Sequence, residues 1–204
     1  MNKGRAIVTR RAVVASTAAL LISRPTLSAP SAAGLVTAVV GQGFAEVGAA
    51  HRELAQNSQV FVGEVVGTGS ESRLGIRLGE VTQLKLGADV RVRIDSFIAN
   101  AGGVLELRNG PLQIDSDSRR LGRGLSIRSP FGSIAVRGTH FFAGPSNGVF
   151  GVFVFRGSVR VTAAGRQVTV TEGKGTNIER VGSRPTAPAT WGEARIRQAV
   201  ASVE

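Results

Sequence analysis

Apolar and polar residues alternate with a period of two over most of the chain beyond residue 34. In Val90-Arg91-Val92-Arg93-Ile94-Asp95 the alternation is strict, which puts Val90, Val92 and Ile94 on one face of a strand and the ions on the other. Leu74, Ile76 and Leu78 repeat the arrangement, as do Leu105 and Leu107, Leu112 and Ile114, Leu125 and Ile127, and Val168 and Val170. Turn residues separate these runs at Gly67-Thr68-Gly69-Ser70, Asn100-Ala101-Gly102-Gly103, Asn109-Gly110-Pro111, Gly144-Pro145-Ser146-Asn147-Gly148 and Ala164-Gly165-Arg166. About a dozen short strands at near-regular spacing predict an all-β fold, either a roll or sandwich or an irregular β-helix. Asn109-Gly110 and Ala164-Gly165 read as hairpin turns, so the sheets need not be wholly parallel. No repeat length is strict, which argues against a regular solenoid.

Two segments depart from the two-residue period. Ala45 to Gln56 fits a short helix or an irregular strand pair equally well. Residues 182–190 form a Pro- and Ala-rich linker, after which Thr190 and Glu193 have the spacing of an N-terminal capping box. Ile196, Ala199, Val200 and Val203 then share one helical face, opposite Arg195 and Gln198. A helix this short is not stable alone. Docking onto its own β-module, with Trp191 as the plug, is the expected outcome; a partner-binding arm is the alternative.

Residues 1–33 have a different character. Lys3, Arg5, Arg10 and Arg11 precede an uncharged apolar run from Ala12 to Ile22. Eleven residues cannot span about 30 Å of hydrocarbon as a helix, so the run reads as the core of an export signal. Thr9-Arg10-Arg11-Ala12-Val13-Val14 is similar to a twin-arginine signal, with valines where that pattern prefers Phe and Leu. Ser31-Ala32-Ala33 offers small residues for a signal peptidase, which places cleavage after Ala33 and the protein in the periplasm. The expected organisation is therefore an export signal at 1–33, a β-domain at 34–181, a linker at 182–190 and a C-terminal helix at 191–204.

Removing the signal changes the charge. The chain has 25 Lys and Arg against 14 Asp and Glu, and five of those cations but no acid lie in residues 1–33, so the net charge falls from +11 to +6. With only Phe 9, Trp 1 and Tyr 0 to stack on bases, no nucleic-acid partner is expected. Arg91, Arg93, Arg128, Arg137, Arg156 and Arg160 read as solvated strand faces, with a small cluster at Arg119, Arg120 and Arg123; weak attraction to anionic polymers is the residual functional reading.

Catalytic chemistry is poorly represented. Cysteine is absent, which removes disulfides, thiolate catalysis and Cys-based zinc sites together. His51 and His140 are the only histidines and have no metal-ligand spacing. His140 reads as a surface side chain beside a strand end that could line a small site. Asp115 and Asp117 could offer oxygens to a hard cation, but the serines and arginines around them read as a solvated loop. No serine lies in a nucleophile elbow or beside an evident base. No cofactor, metal site or enzymatic activity is expected.

Ser129-Pro130-Phe131-Gly132-Ser133-Ile134-Ala135-Val136-Arg137-Gly138-Thr139-His140-Phe141-Phe142, then Val152 to Val161 with Gly157 inside it, and finally Glu172-Gly173 together resemble the FecR domain. That bacterial periplasmic module has a proline-led strand, an R/G-G-T-x-F stretch, a hydrophobic strand, a glycine, V-x-V and a late glycine. Arg73 to Leu78 and Thr82 to Val90 look like the family's paired strands, with Gly79-Glu80 where the family turns on Asp-Gly. The resemblance implies structural roles for Pro130, Arg137, Gly138, Thr139, Phe141, Gly157 and Gly173, with Gly138 and Gly157 at sharp turns.

The resemblance also implies signalling or binding. Signalling members join a cytoplasmic sigma-factor segment and a membrane span to the periplasmic module, whereas here the module follows an export signal. The expected function is a non-enzymatic periplasmic adaptor that binds another envelope protein, a membrane sensor or outer-membrane component, with no stable membrane span of its own. Binding of a cell-wall glycan or small ligand is the alternative. The double variant Arg10→Lys with Arg11→Lys should leave unprocessed precursor in the cytoplasm, as read by fractionation and immunoblotting; unchanged processing and periplasmic recovery would show that the twin arginines do not direct export.

Overall fold

The computed structural model describes residues 31–98, 102–116 and 124–204. Strands that alternate apolar with polar residues must each hide one apolar row, and the chain does so by dividing its strands between two sheets whose inner rows meet. β1 (Ala32–Val40) lies in the first sheet, β2 (Gly43–Val47) and β3 (Ala50–Glu53) in the second, β4 (Gln59–Phe61) in the first and β5 (Val65–Thr68) in the second. β6 (Arg73–Leu78) and β7 (Thr82–Leu86) return to the first sheet, and β8 (Arg91–Ile98) and β9 (Gly102–Asn109) to the second. The exchange continues with β10 (Leu112–Ser116) in the first, β11 (Leu125–Ser129) and β12 (Gly132–Val136) in the second, and β13 (His140–Ser146) and β14 (Val149–Arg156) in the first. β15 (Ser158–Ala163) and β16 (Arg166–Thr171) complete the second sheet; β17 (Lys174–Ile178) and β18 (Ala189–Thr190) complete the first, before helix α1 (Glu193–Ala201).

The strand order is β18-β17-β14-β13-β10-β7-β6-β1-β4 in the first sheet and β16-β15-β12-β11-β9-β8-β5-β2-β3 in the second. Neighbours are antiparallel except β9 and β11. One continuous core fills the space between the sheets. Leu74, Ile76, Leu78, Val90, Val92, Ile94, Leu105, Leu107, Leu112, Ile114, Leu125, Ile127, Val168 and Val170 all point into it, as the alternation predicts.

Among the described residues the eighteen strands exceed the expected dozen because several, such as β4, β5 and β18, are too short to display alternation in sequence. Ala45 to Gln56 resolves as a strand pair, with Ala45 opposite Arg52 and Val47 opposite Ala50. Ala164-Gly165 does close the β15–β16 hairpin, at φ of 44° and 74°. Asn109-Gly110 does not close a hairpin: it lies at a corner where the chain leaves the second sheet for the first, because β9 already pairs with β8 and β11.

At such corners the backbone loses its ladder partners while still inside the dry core, and buried hydroxyls replace them. Thr68 Oγ1 donates to the Gly87 carbonyl at 2.6 Å and accepts from Val90 N at 3.0 Å. Ser72 Oγ accepts from Gln42 N at 2.9 Å and donates to the Ser70 carbonyl at 2.9 Å. Thr139, fully buried between β12 and β13, donates from Oγ1 to the Ser158 carbonyl at 2.8 Å and so ties that corner to the one after β14. Gly138 (φ 64°) and Gly157 (φ 85°) carry the chain round these two corners in the left-handed region, and a Cβ on Gly157 would lie 3.0 Å from the Gly138 carbonyl oxygen.

The C-terminal segment differs from its sequence reading in two ways. Thr190 belongs to β18 instead of capping α1; the N-cap is Gly192, with no side-chain cap bond. Residues 182–190 also do more than link, since Thr186 N donates to the Asn177 carbonyl at 2.9 Å and Thr186 Oγ1 accepts from Asn177 N at 3.0 Å, which lays the segment along β17. The helix itself docks on the outer face of the first sheet, as expected. Trp191, Ala199 and Val203 are buried with Phe142 and Phe153, and Trp191 packs over Gly151 and Gly175, where no side chain would fit. Arg195 is not on the wet face. Its guanidinium stacks 3.6 Å from the Trp191 ring and donates to Ser146 Oγ and Asn177 Oδ1, each at 2.9 Å.

Trp191 is the chain's only tryptophan. Its emission should be blue-shifted in the native protein and move red in Gly175→Val, which removes its seat and costs about 2–3 kcal/mol of buried aromatic surface. A red, easily quenched native emission would contradict the docking. Gly138→Val, which forces a β-branched residue into the left-handed region, should lower stability by about 1–2 kcal/mol. A urea midpoint equal to that of the parent would show that the corner is not constrained.

Candidate functional site

The residues singled out by sequence fall into one structural group and several scattered positions. Pro130 sits in the two-residue turn between β11 and β12, where Phe131 stacks on Phe150 with ring centres 4.6 Å apart. Arg137, Gly138 and Thr139 form the corner after β12; Phe141 is the first fully buried side chain beyond it; Gly157 forms the facing corner. Gly173 (φ 74°) turns the chain from β16 to β17, and its N–H donates to the Val154 carbonyl at 2.9 Å. These positions build corners, and only Arg137 among them presents an exposed charged group. Ala33 is buried within β1, and a chain beginning at Gly34 keeps the pairs Gly34–Val60 and Gly34–Leu78. Arg10, Arg11, Asp117, Arg119, Arg120 and Arg123 lie outside the described residues.

The two histidines are on different sheets. His51, on β3, is exposed, stacks on Phe44 and lies 3.4 Å from Glu46. His140, on β13, is half-buried against Phe155 at 4.6 Å between ring centres and contacts the Gln113 amide. Burial lowers its pKa below the usual histidine value, opposed by Asp115 and reinforced by Arg156 and Lys85. Asp115 pairs with Arg156 at 2.7 Å. Among the described residues no group of three His, Cys, Asp or Glu side chains could hold a metal ion.

The sheets end differently, and this asymmetry was not legible in the sequence. On the C-terminal side the first sheet ends in β18, two residues long, which with residues 186–188 is laid along β17. On the same side the second sheet ends in β16, six residues long, and among the described residues no strand lies beyond it. Glu172 N donates to the Gly157 carbonyl at 3.1 Å, so by antiparallel alternation Val170 and Val168 bond to β15, while the N–H groups of Thr171, Thr169 and Gln167 point outward. Val168 and Val170 face the core and Gln167, Thr169 and Thr171 face solvent, so the free edge combines open backbone groups with small polar side chains. Period-two alternation announces the strand, but not which of its sides lacks a neighbour.

Comparison with known proteins agrees with the sheet arrangement. Two crystal structures of a candidate anti-sigma factor from Parabacteroides distasonis superpose with TM-scores of 0.56 at 13% identity. Each match covers 67% of this chain and only 64% or 63% of the other, so it shows a shared fold over part of both proteins. No curated protein matches the chain. The FecR protein family model matches residues 64–160, from the start of β5 through the Arg137-Gly138-Thr139 corner into β15. Residues 64–160 of this chain are a FecR domain.

Proposed function

We propose that this protein is a periplasmic signalling or sensing adaptor that binds another envelope protein by accepting a strand on the free edge of β16. The open edge carries this reading: three outward N–H groups on a six-residue strand, beside a sheet whose matching edge the chain covers itself. Exposed edges of this length are ordinarily blunted by proline, charged side chains or a bulge, and β16 has only one such residue, Arg166 at its first position beside the turn. The FecR domain supports a signalling role, and among the described residues no helix is long and apolar enough to cross a membrane. Glu46, the carboxylate 3.4 Å from exposed His51, is held by Arg91 at 2.7 Å, and His140 contacts the Gln113 amide, which favours recognition over catalysis.

Proline at an outward N–H removes no ladder bond but blocks strand addition. Thr169→Pro should therefore retain the parent's stability to within about 0.5 kcal/mol, as for other surface changes. A photo-crosslinker at Thr169 should give one discrete envelope adduct in cells, and Thr169→Pro should cut co-purification of that protein at least tenfold. Undiminished co-purification with Thr169→Pro, or no adduct from Thr169, would contradict edge pairing.

A further inference from the structure

A cleft of about 780 Å³ runs across six strands of the second sheet, from β16 to β8, at the strand ends nearest the Arg137-Gly138-Thr139 corner. Ala135 and Val104 contribute its apolar surface, and Ser126, Ser158 and Thr169 offer hydroxyls. Arg137 and Arg160 both line it, and among the described residues no acidic side chain does. Register places these arginines together. Arg160 pairs with Ala135 on β12, and Arg137 is the first residue of the corner just beyond that strand, so both arginines reach the same cleft.

Such a pair is unfavourable unless something negative lies between its members, and elsewhere on this face the protein supplies that partner itself. Arg91 meets Glu46 at 2.7 Å, Arg108 meets Glu106 at 3.7 Å, Arg128 meets Asp95 at 4.0 Å, and Arg93 stands opposite Glu106 across the β8–β9 pair. Among the described residues Arg137 and Arg160 have no such acid. The cleft's volume falls in the range that accepts small ligands, and two guanidinium groups present planar forks suited to carboxylate or phosphate.

We infer that this cleft binds the oxyanion of a small hydroxylated ligand, held between Arg137 and Arg160, with Ser126, Ser158 and Thr169 hydrogen-bonding the hydroxyls around it. A carboxylated sugar and a phosphate-bearing ligand share this chemistry. The site shares Thr169 with β16 through its hydroxyl, but Arg137 and Arg160, whose variants test it, lie off that strand, so this inference and strand pairing on β16 fail separately. Solvated strand faces, the reading that alternation alone supports for these arginines, account for their exposure but not for their grouping in one cleft away from any acid among the described residues.

The test is titration of the full-length mature protein with trigalacturonate, with inorganic phosphate and with neutral maltotriose, by calorimetry and by amide shifts of Ser126, Ala135 and Ser158. Trigalacturonate should saturate and move those amides, and maltotriose should do neither. Saturation by phosphate alone would keep the oxyanion site and assign its source to a phosphate-bearing ligand. Arg137→Gln and Arg160→Gln should each weaken binding at least tenfold, with partial recovery in Arg160→Lys, which keeps charge but loses the fork. Arg128→Gln, an equal change of charge outside the cleft, should leave affinity within twofold. Failure of both anions to saturate, equal binding of maltotriose, or an Arg128→Gln loss as large as that of Arg160→Gln would overturn the inference.

Discussion

The constraint on which this structure depends is the repeated passage of the chain between two sheets. Each passage buries an apolar row on both sides of one core, and each also strips backbone groups of their ladder partners at a corner where water is excluded. An unsatisfied buried backbone group costs about 1–3 kcal/mol, so a chain that crosses this often cannot leave its corners open. Thr68, Ser72 and Thr139 are buried for that reason, each bonding carbonyl or amide groups far away in sequence. The Gly138–Thr139 corner is the plainest case. A left-handed glycine makes the turn and the threonine beside it fastens the turn to Ser158, which puts the preceding Arg137 at the rim of an exposed face.

The same economy shapes what is left for other molecules. The first sheet is covered outside, over Phe142 and Phe153, by α1, whose hold is concentrated in Trp191 and Arg195 at one end and in buried Ala199 and Val203 at the other. Its C-terminal edge is occupied by the segment leading into that helix. The second sheet receives neither covering among the described residues. It offers a broad polar face and the edge of β16, and both proposed sites lie on it.

Much of the fold was legible because burial writes itself into sequence at period two. Val90, Val92 and Ile94, or Val168 and Val170, could be assigned to the core from alternation alone, and the glycines at 138 and 157 from the family pattern. What alternation does not encode is which sheet a strand joins. Asn109-Gly110 has hairpin chemistry yet turns a corner, because the partner of β9 is decided by packing far along the chain. The capping box failed similarly, since Thr190 bonds along β17 rather than to the helix. Arg195 was misplaced because a helical wheel ranks a guanidinium as polar, whereas its flat face lies against Trp191 and its N–H groups find Ser146 and Asn177. Sheet edges and clefts are absences of neighbours, so only the assembled strand order reveals them.

The claim that the chain closes one sheet edge and leaves the other open is most directly tested by residue-resolved amide hydrogen exchange in the native protein. Val168 and Val170, bonded to β15, should be strongly protected, while Gln167, Thr169 and Thr171 in the same strand should exchange as freely as loop amides; Asn177 and Thr186 should be protected on the other sheet. Uniform protection along β16, or free exchange at Asn177 and Thr186, would contradict it.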